Sequence, residues 1–162
     1  MSMQMNLYLD TSIPSAYYDT SKPSRQRITQ EWFKNDSKNY KLFTSVIALQ
    51  EIQKIKNDAK RENVGNLIVD YDISILELTE DIKILAEKYI RKGAIPKTEP
   101  EDALHIATAV VNKVENLVSW NFKHIVSINP IKKINEINKK LGYEIITISS
   151  LELFGGYKYE NL

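Results

Sequence analysis

Three acidic residues, Asp10, Glu51 and Asp102, occupy positions at which they can act together although they are far apart in the chain. Asp10 directly follows the short apolar run 7–9, Glu51 lies about two turns into a predicted helix, and Asp102 belongs to the first turn of another. A fourth polar residue, Asn121, ends a further apolar run. Carboxylate and amide oxygens without a cysteine or histidine among them suit a hard divalent ion, Mg²⁺ or Mn²⁺.

Such a cluster of carboxylates has a physical cost. Like charges in one site repel, and one of the acids acquires an unusually high pKa unless a cation lies among them. Asp102 is favoured as an anion by about 0.3–1 kcal/mol because it lies near a helix N-terminus. A bound divalent ion polarises a phosphoryl oxygen and activates water, so the pattern predicts hydrolysis of a phosphodiester without a covalent enzyme intermediate.

The residues beside these acids allow two interpretations each. The hydroxyls of Thr11 and Ser12 either orient a carboxylate or a metal-bound water, or cap the helix that follows. Lys123 and His124, just after Asn121, either contact phosphate at the mouth of the cleft or form a solvated surface pair.

His105 lies three residues after Asp102, on the same side of the helix. It is either a general acid or base, or a packed histidine bonded to a backbone carbonyl. We favour the packed histidine.

Short apolar runs alternate with helical patterns along the whole chain. The predicted strands are 7–9, 40–44, 73–78, 117–120 and 144–148. One predicted helix begins near Pro14, and the others cover 24–35, 45–52, 58–71, 79–92 and 103–114. Alternating strands and helices predict an α/β fold with a central parallel sheet of about five strands flanked by helices. Ligands bind beyond the carboxyl ends of such strands, so Asp10, Glu51, Asp102 and Asn121 are expected to converge at one edge.

Three residues mark predicted helix ends. Ser45 is expected to cap the helix that carries Glu51. Thr98 and Glu101 have the spacing of a capping box before the helix of Asp102. Gly93 is expected to follow the end of the preceding helix.

Composition is typical of one globular domain, 1–162. Hydrophobic residues make up 43% and charged residues 27% of the chain, and 22 basic residues against 21 acidic ones give a formal charge of +1. This balance neither supports nor excludes a nucleic-acid substrate. There are no cysteines, which excludes disulfides, thiolate zinc sites and cysteine nucleophiles. We expect a cytoplasmic protein without membrane association.

Four segments resemble the motifs of PIN domains, in the same order and over about residues 5–153. They are 7–12 (LYLDTS), 44–52 (TSVIALQEI), 101–109 (EDALHIATA) and 117–125 (LVSWNFKHI). The third and fourth together are fairly specific, and they resemble the branch of VapC-type toxins, the ribonucleases of type II toxin–antitoxin pairs.

The resemblance implies a metal-dependent endoribonuclease that uses Mg²⁺ or Mn²⁺, cuts RNA to 5′-phosphate and 3′-hydroxyl ends, forms a homodimer and binds an antitoxin. It implies Asp10, Glu51, Asp102 and Asn121 as the catalytic residues, the three acids being the metal ligands. Many PIN domains carry an aspartate where this chain has Asn121, and the loss of that charge weakens a second metal position.

Two alternatives remain open at this point. A phosphatase could use Asp10 as a nucleophile, but such enzymes usually carry a second aspartate two residues later, where this chain has Ser12. A catalytically weak PIN-like scaffold that binds RNA or a protein partner is favoured only by Asn121. The intact acids oppose it, because buried clustered carboxylates are costly without a cation.

Overall fold

A five-stranded parallel sheet forms the centre of the computed structural model, which describes residues 4–155. The strands are β1 (Met5–Leu9), β2 (Tyr40–Ser45), β3 (Ser74–Leu76), β4 (Asn116–Val118) and β5 (Thr147–Ser149). Their order is β3-β2-β1-β4-β5, and every neighbouring pair is parallel. The predicted α/β fold with a parallel sheet of about five strands is therefore confirmed.

Helices connect the strands and cover both faces of the sheet. They are α1 (Ser12–Ala16), α2 (Pro23–Asn35), α3 (Val46–Gln53), α4 (Asp58–Asp70), α5 (Glu80–Arg91), α6 (Pro100–Val111) and α7 (Ile128–Lys140), with short 3₁₀ helices at Ser37–Asn39 and Leu151–Phe154. Within residues 4–155, no helix combines the length and the apolar character needed to cross a bilayer.

The central strand β1 divides the hydrophobic core into two parts. Because successive side chains of a strand point to opposite faces, Leu7 and Leu9 pack into one cluster and Tyr8 into the other. The Leu7 cluster includes residues of α1, α2 and α4, whereas the Tyr8 cluster includes residues of α5, α6 and α7. Burial on both faces explains why β1 reads as a continuous apolar run ending at Asp10.

Two helix ends agree with the sequence. The Ser45 hydroxyl accepts a hydrogen bond from the amide of Ile47 at 3.2 Å and so caps α3. Gly93 follows the end of α5 with φ of +78°, the left-handed conformation that glycine adopts most readily.

The capping box predicted at Thr98 and Glu101 is wrong. Helix α6 has Glu99 as its N-cap residue, with no capping hydrogen bond from that side chain, and begins at Pro100. Proline suits the first helical position because it lacks the amide hydrogen, and this sets the register of the turn. Asp102 consequently occupies the third position of α6.

Candidate functional site

The site forms at the carboxyl end of β1, between β2 and β4. These two strands pair with opposite sides of β1. The chain runs from β1 to β2 and β3 on one side and then returns to β4 on the other, so the strand order reverses at β1, as at the ligand sites of other α/β sheets. The amide of Asp10 donates to the carbonyl of Val118 at 3.3 Å, which fixes Asp10 against the end of β4.

The Asp10 carboxylate is buried, with 4% of its surface exposed, and both of its oxygens are bonded. Oδ1 accepts from the Ser12 amide at 3.0 Å and from the Ser12 hydroxyl at 2.5 Å, and Oδ2 accepts from the Ser119 hydroxyl at 2.5 Å. Burial raises the pKa of Asp10, and the nearby His105 and the two serine hydroxyls offset only part of that rise.

Glu51 lies in α3 and faces the same region. Its Oε1 accepts from the Thr11 hydroxyl at 2.7 Å and from His105 Nε2 at 2.6 Å. Burial raises the pKa of Glu51, but the hydrogen bond and charge of His105, the Thr11 hydroxyl and the charge of Lys54 outweigh it, so the pKa lies below its usual value. Glu51 is therefore an anion at neutral pH.

His105 is buried and joins Glu51 to Tyr8. Because an ionised carboxylate only accepts hydrogen bonds, the proton of this pair lies on Nε2 of the imidazole. The other ring nitrogen, Nδ1, is 2.7 Å from the Tyr8 hydroxyl, which in turn is 2.7 Å from the hydroxyl of Ser45. The histidine is packed as predicted, but its expected backbone-carbonyl partner is wrong, because its partners are side chains.

Asp102 faces the site from the first turn of α6 and is half-buried. Burial, together with the charges of Asp10, Glu99 and Glu51, raises its pKa to about 7, against a lowering effect of His105. Its Oδ2 accepts from Asn121 Nδ2 at 3.2 Å.

Asn121 presents its amide nitrogen, and not its oxygen, to Asp102. The backbone amide of His124 donates to Asn121 Oδ1 at 2.9 Å, which fixes the orientation of the side-chain amide. The backbone amide of Asn121 donates to the Ser119 hydroxyl at 2.9 Å. Asn121 is thus joined to Asp102 directly and to Asp10 through Ser119.

The hydroxyls of Thr11 and Ser12 do not cap α1. No side-chain hydrogen bond caps this helix at Thr11, and the two hydroxyls donate to Glu51 and Asp10 instead. The capping interpretation is therefore wrong, and both residues orient carboxylates.

Lys123 and His124 lie beyond Asn121. Lys123 is exposed, whereas His124 is partly buried, with its Nε2 3.9 Å from Glu99 Oε1.

Asp10, Glu51 and Asp102 interact electrostatically, because Glu51 raises the pKa of Asp10 and both of these acids raise the pKa of Asp102. Within residues 4–155, no group of three or more histidine and acidic side chains forms a ready-made metal site. The donor set nevertheless fits a hard cation, because Asp10 is buried and a positive charge would remove the repulsion that raises the pKa of Asp102. Metal ligation by Glu51 together with these two acids stays a prediction.

Ser119 and Tyr8 belong to the site but were not predicted. Ser119 is fully buried and bonds to Asp10, and it lies within the fourth of the motif segments. Tyr8 reads as one residue of an apolar strand, although its alternation with Leu7 and Leu9 places it on the α6 side of the sheet. The alternation is the feature that indicates its proximity to His105.

The sequence model of the PIN domain family matches residues 7–121, from β1 to the asparagine beside Asp102. The chain belongs to the PIN domain family. No curated protein matches it in sequence.

Solved structures of related fold are similar to this PIN domain over most of its length. Mycobacterium tuberculosis VapC20, described as a toxin that cleaves the sarcin–ricin loop, has a TM-score of 0.57 and 12% identity, over 73% of this chain and 92% of that one. VapBC2 of Rickettsia felis, solved with a DNA fragment from its promoter, has a TM-score of 0.54 and 17% identity, over 90% and 98%. At these identities the likeness concerns the fold.

Proposed function

We propose that this PIN domain is a metal-dependent endoribonuclease that hydrolyses RNA phosphodiesters with Asp10, Glu51 and Asp102 as its essential acids. The supporting observation is that Asp10 and Glu51 act electrostatically on Asp102 in a chain that belongs to the PIN family. The single-domain organisation over residues 1–162 is part of the proposal.

Asp10, Glu51 and Asp102 would hold Mg²⁺ or Mn²⁺, whose chemistry is to polarise a phosphoryl oxygen and activate water. The chain itself supplies orientation. Ser12 and Ser119 hold both oxygens of Asp10, and Thr11 and His105 hold one oxygen of Glu51. These fixed bonds reduce the reorganisation needed when charge develops on the phosphate.

Asn121 and Lys123 have separate roles in the proposal. Asn121 orients Asp102 through its amide nitrogen without adding a negative charge. Lys123, exposed at the mouth of the site, contacts phosphate, and His124 lies beside it as a weaker candidate because Glu99 is close to its ring.

Cleavage of a labelled single-stranded RNA tests the proposal. We expect cutting with Mn²⁺ or Mg²⁺, none with excess EDTA, and a loss on the order of 10²-fold or more in Asp10→Asn and in Asp102→Asn. The matched control is Asp81→Asn, an exposed aspartate in the first turn of α5, which should cut at the wild-type rate. Products with 5′-phosphate and 3′-hydroxyl ends are expected.

Cleavage that persists in both site variants would contradict this assignment. Absence of cleavage together with absence of Mn²⁺ binding would favour the alternative of a PIN-like scaffold that binds RNA or a protein. Asn121 is the residue that favours this alternative, because it lacks the charge of an aspartate.

The similarity to VapC20 and VapBC2 supports a finer proposal, that the chain is the toxin of a type II pair and binds an antitoxin. In this proposal the protein acts in the cytoplasm as a homodimer. Growth arrest on expression of the wild type but not of Asp10→Asn would support the toxin role, and sedimentation equilibrium measures the oligomeric state.

A further inference from the structure

A cleft of about 540 Å³ opens beside the carboxylates, between the start of α2 and the loop after β4. Its wall includes Ser12 and Asn121, which bond to Asp10 and Asp102, so the cleft is continuous with the proposed active site. We call it the aromatic–basic cleft and define it by five further lining residues: Lys22, Arg25, Trp120, Phe122 and Lys123.

Trp120 gives the cleft a fixed wall. It is buried, its indole Nε1 donates to the Thr29 hydroxyl at 3.0 Å, and its backbone amide donates to the Ser12 hydroxyl at 2.9 Å. The Phe122 ring packs edge-to-face against it with centroids 5.9 Å apart and an interplanar angle of 85°. Phe122 is 43% exposed, so this aromatic ring offers a surface to a ligand.

Positive charge lies beside that ring and elsewhere along the cleft. The guanidinium carbon of Arg25 lies 5.1 Å from the Phe122 ring centroid and 5.5 Å from the Trp120 ring, both within cation–π range. Lys22 and Lys123 add two exposed ammonium groups. The acid in the lining, Asp19, already accepts two hydrogen bonds from Ser21, at 3.0 Å to its amide and 2.6 Å to its hydroxyl.

We propose that the aromatic–basic cleft binds the single-stranded RNA next to the scissile bond, with an unpaired base stacked on Phe122 and phosphates contacted by Lys22, Arg25 and Lys123. This inference rests on the proposed function, which it deepens by naming the residues that bind the strand beside the scissile bond. A base paired in a duplex cannot present its face to a side chain, whereas an unpaired base can.

An acidic protein segment would also be attracted to the three cations. The exposed ring beside a guanidinium favours RNA, because bases stack on both aromatic and guanidinium planes, whereas an acidic peptide needs only the charges. Continuity with the site of Asp10 and Asp102 favours RNA further, because a strand bound in the cleft extends to the carboxylates that the proposed function assigns to cleavage.

Fluorescence anisotropy in EDTA tests the cleft without cleavage. The probe is a labelled oligouridylate of about ten nucleotides, within the site sizes of single-strand binding proteins. Phe122→Ala should weaken binding about 5- to 150-fold, corresponding to the loss of one stacked base, and Phe122→Trp should retain it. Arg25→Gln should weaken binding and lower the slope of log K against log salt by about 0.7. Arg27→Gln is the matched control, an exposed arginine of the same helix outside the cleft, and should bind like the wild type.

Binding by Phe122→Ala at the wild-type affinity would overturn the inference, as would equal affinity for a duplex of the same sequence. Competition by a polyglutamate peptide that depends on Phe122 and Arg25 as strongly as RNA binding does would assign the cleft to a protein instead. The two proposals fail separately. RNA binding in EDTA that depends on Phe122, without cleavage in Mn²⁺, would support the role of the cleft and contradict the nuclease proposal. Cleavage that does not depend on Phe122 would support the nuclease proposal and contradict the role of the cleft.

Discussion

Asp102 changes its ionisation near neutral pH because burial and the neighbouring acids raise its pKa to about 7, from an ordinary value of 3.8. In the absence of metal, the folded chain therefore holds this proton more tightly than the unfolded chain does. Linkage then requires the contribution of Asp102 to the free energy of unfolding to fall as pH rises from about 4 to about 7, and to remain low above that range.

An Asp102→Asn variant should therefore gain stability relative to the wild type as pH rises. We expect the difference in the free energy of unfolding to be smallest at about pH 4 and still small at pH 5. At pH 8 the variant should be more stable by on the order of 1–2 kcal/mol, a value reduced for solvent screening of a half-buried group. Urea unfolding in EDTA measures the difference.

Glu51 does not disturb this comparison, because its pKa is lowered from 4.5 and its effect lies at more acidic pH. A difference between Asp102→Asn and wild type that stays constant from pH 5 to pH 8 would show that Asp102 does not titrate in this range.

The sequence predicted which residue types would meet but not how they bond. Asp10 and Asp102 could be named because strand ends and helix starts are visible in the apolar pattern, and Glu51 because its segment resembles the second PIN motif. The partners of His105 could not, because Tyr8 and Glu51 approach it through the tertiary packing of β1, α3 and α6. From the local sequence, the hydroxyls of Thr11 and Ser12 could either cap a helix or bond to a carboxylate. Only the tertiary structure decides between these two roles.

At the scale of elements, alanine substitutions at two glycines measure the effect of backbone conformation on stability, because neither position has a packing contact that an added Cβ would disturb. Neither Gly65, in the middle of α4, nor Gly93, after α5, would bring an added Cβ within 4 Å of another group. Gly93→Ala should destabilise the protein by about 1 kcal/mol, because φ there is +78°. Gly65→Ala should stabilise it by about 0.5–1 kcal/mol, because alanine has the higher helix propensity.

Thermal or urea unfolding of both variants measures the effect, and each serves as the control for the other. The same sign of change in both would contradict the explanation from backbone conformation.

Helix α7 shows where the sequence was insufficient. No helix was predicted for 128–140, since asparagines and a proline lower the intrinsic helix propensity of this segment. The isoleucines at Ile128, Ile131, Ile134 and Ile137, spaced by three, are the feature that indicates it. Of these, Ile134 is fully buried against the Tyr8 cluster.

The displacement of β5 has the same origin. The strand was predicted at 144–148 and lies at Thr147–Ser149. The backbone amide and carbonyl of Ile146 bond to the Asn135 side chain, at 2.8 and 3.0 Å, so this residue pairs with α7 and not with a strand. Because α7 was not predicted, the sequence could not indicate that α7 competes with β5 for the backbone of Ile146.

For the whole molecule, a divalent ion bound to the carboxylates should raise the stability of the folded state alone. We expect Mn²⁺ at about 100 times its dissociation constant to raise the free energy of unfolding of the wild type by about 2.7 kcal/mol. Asp102→Asn should gain much less, and the control Asp81→Asn should gain as much as the wild type. Calorimetry with and without EDTA measures the shifts, and an equal gain in Asp102→Asn would place the ion elsewhere.

The position of β4 beside β1 has a consequence for synthesis. Asp10 depends on Ser119, which follows it by 109 residues, and Asp102 depends on Asn121. A nascent chain that carries the first half of the sheet has the edge of β1 exposed and lacks these partners, since domains emerge from the ribosome N-terminus first. While the first half of the sheet emerges from the ribosome, the site therefore lacks the side chains of Ser119 and Asn121. The hydrogen bonds that hold Asp10 and Asp102 can therefore form only after most of the chain has been translated.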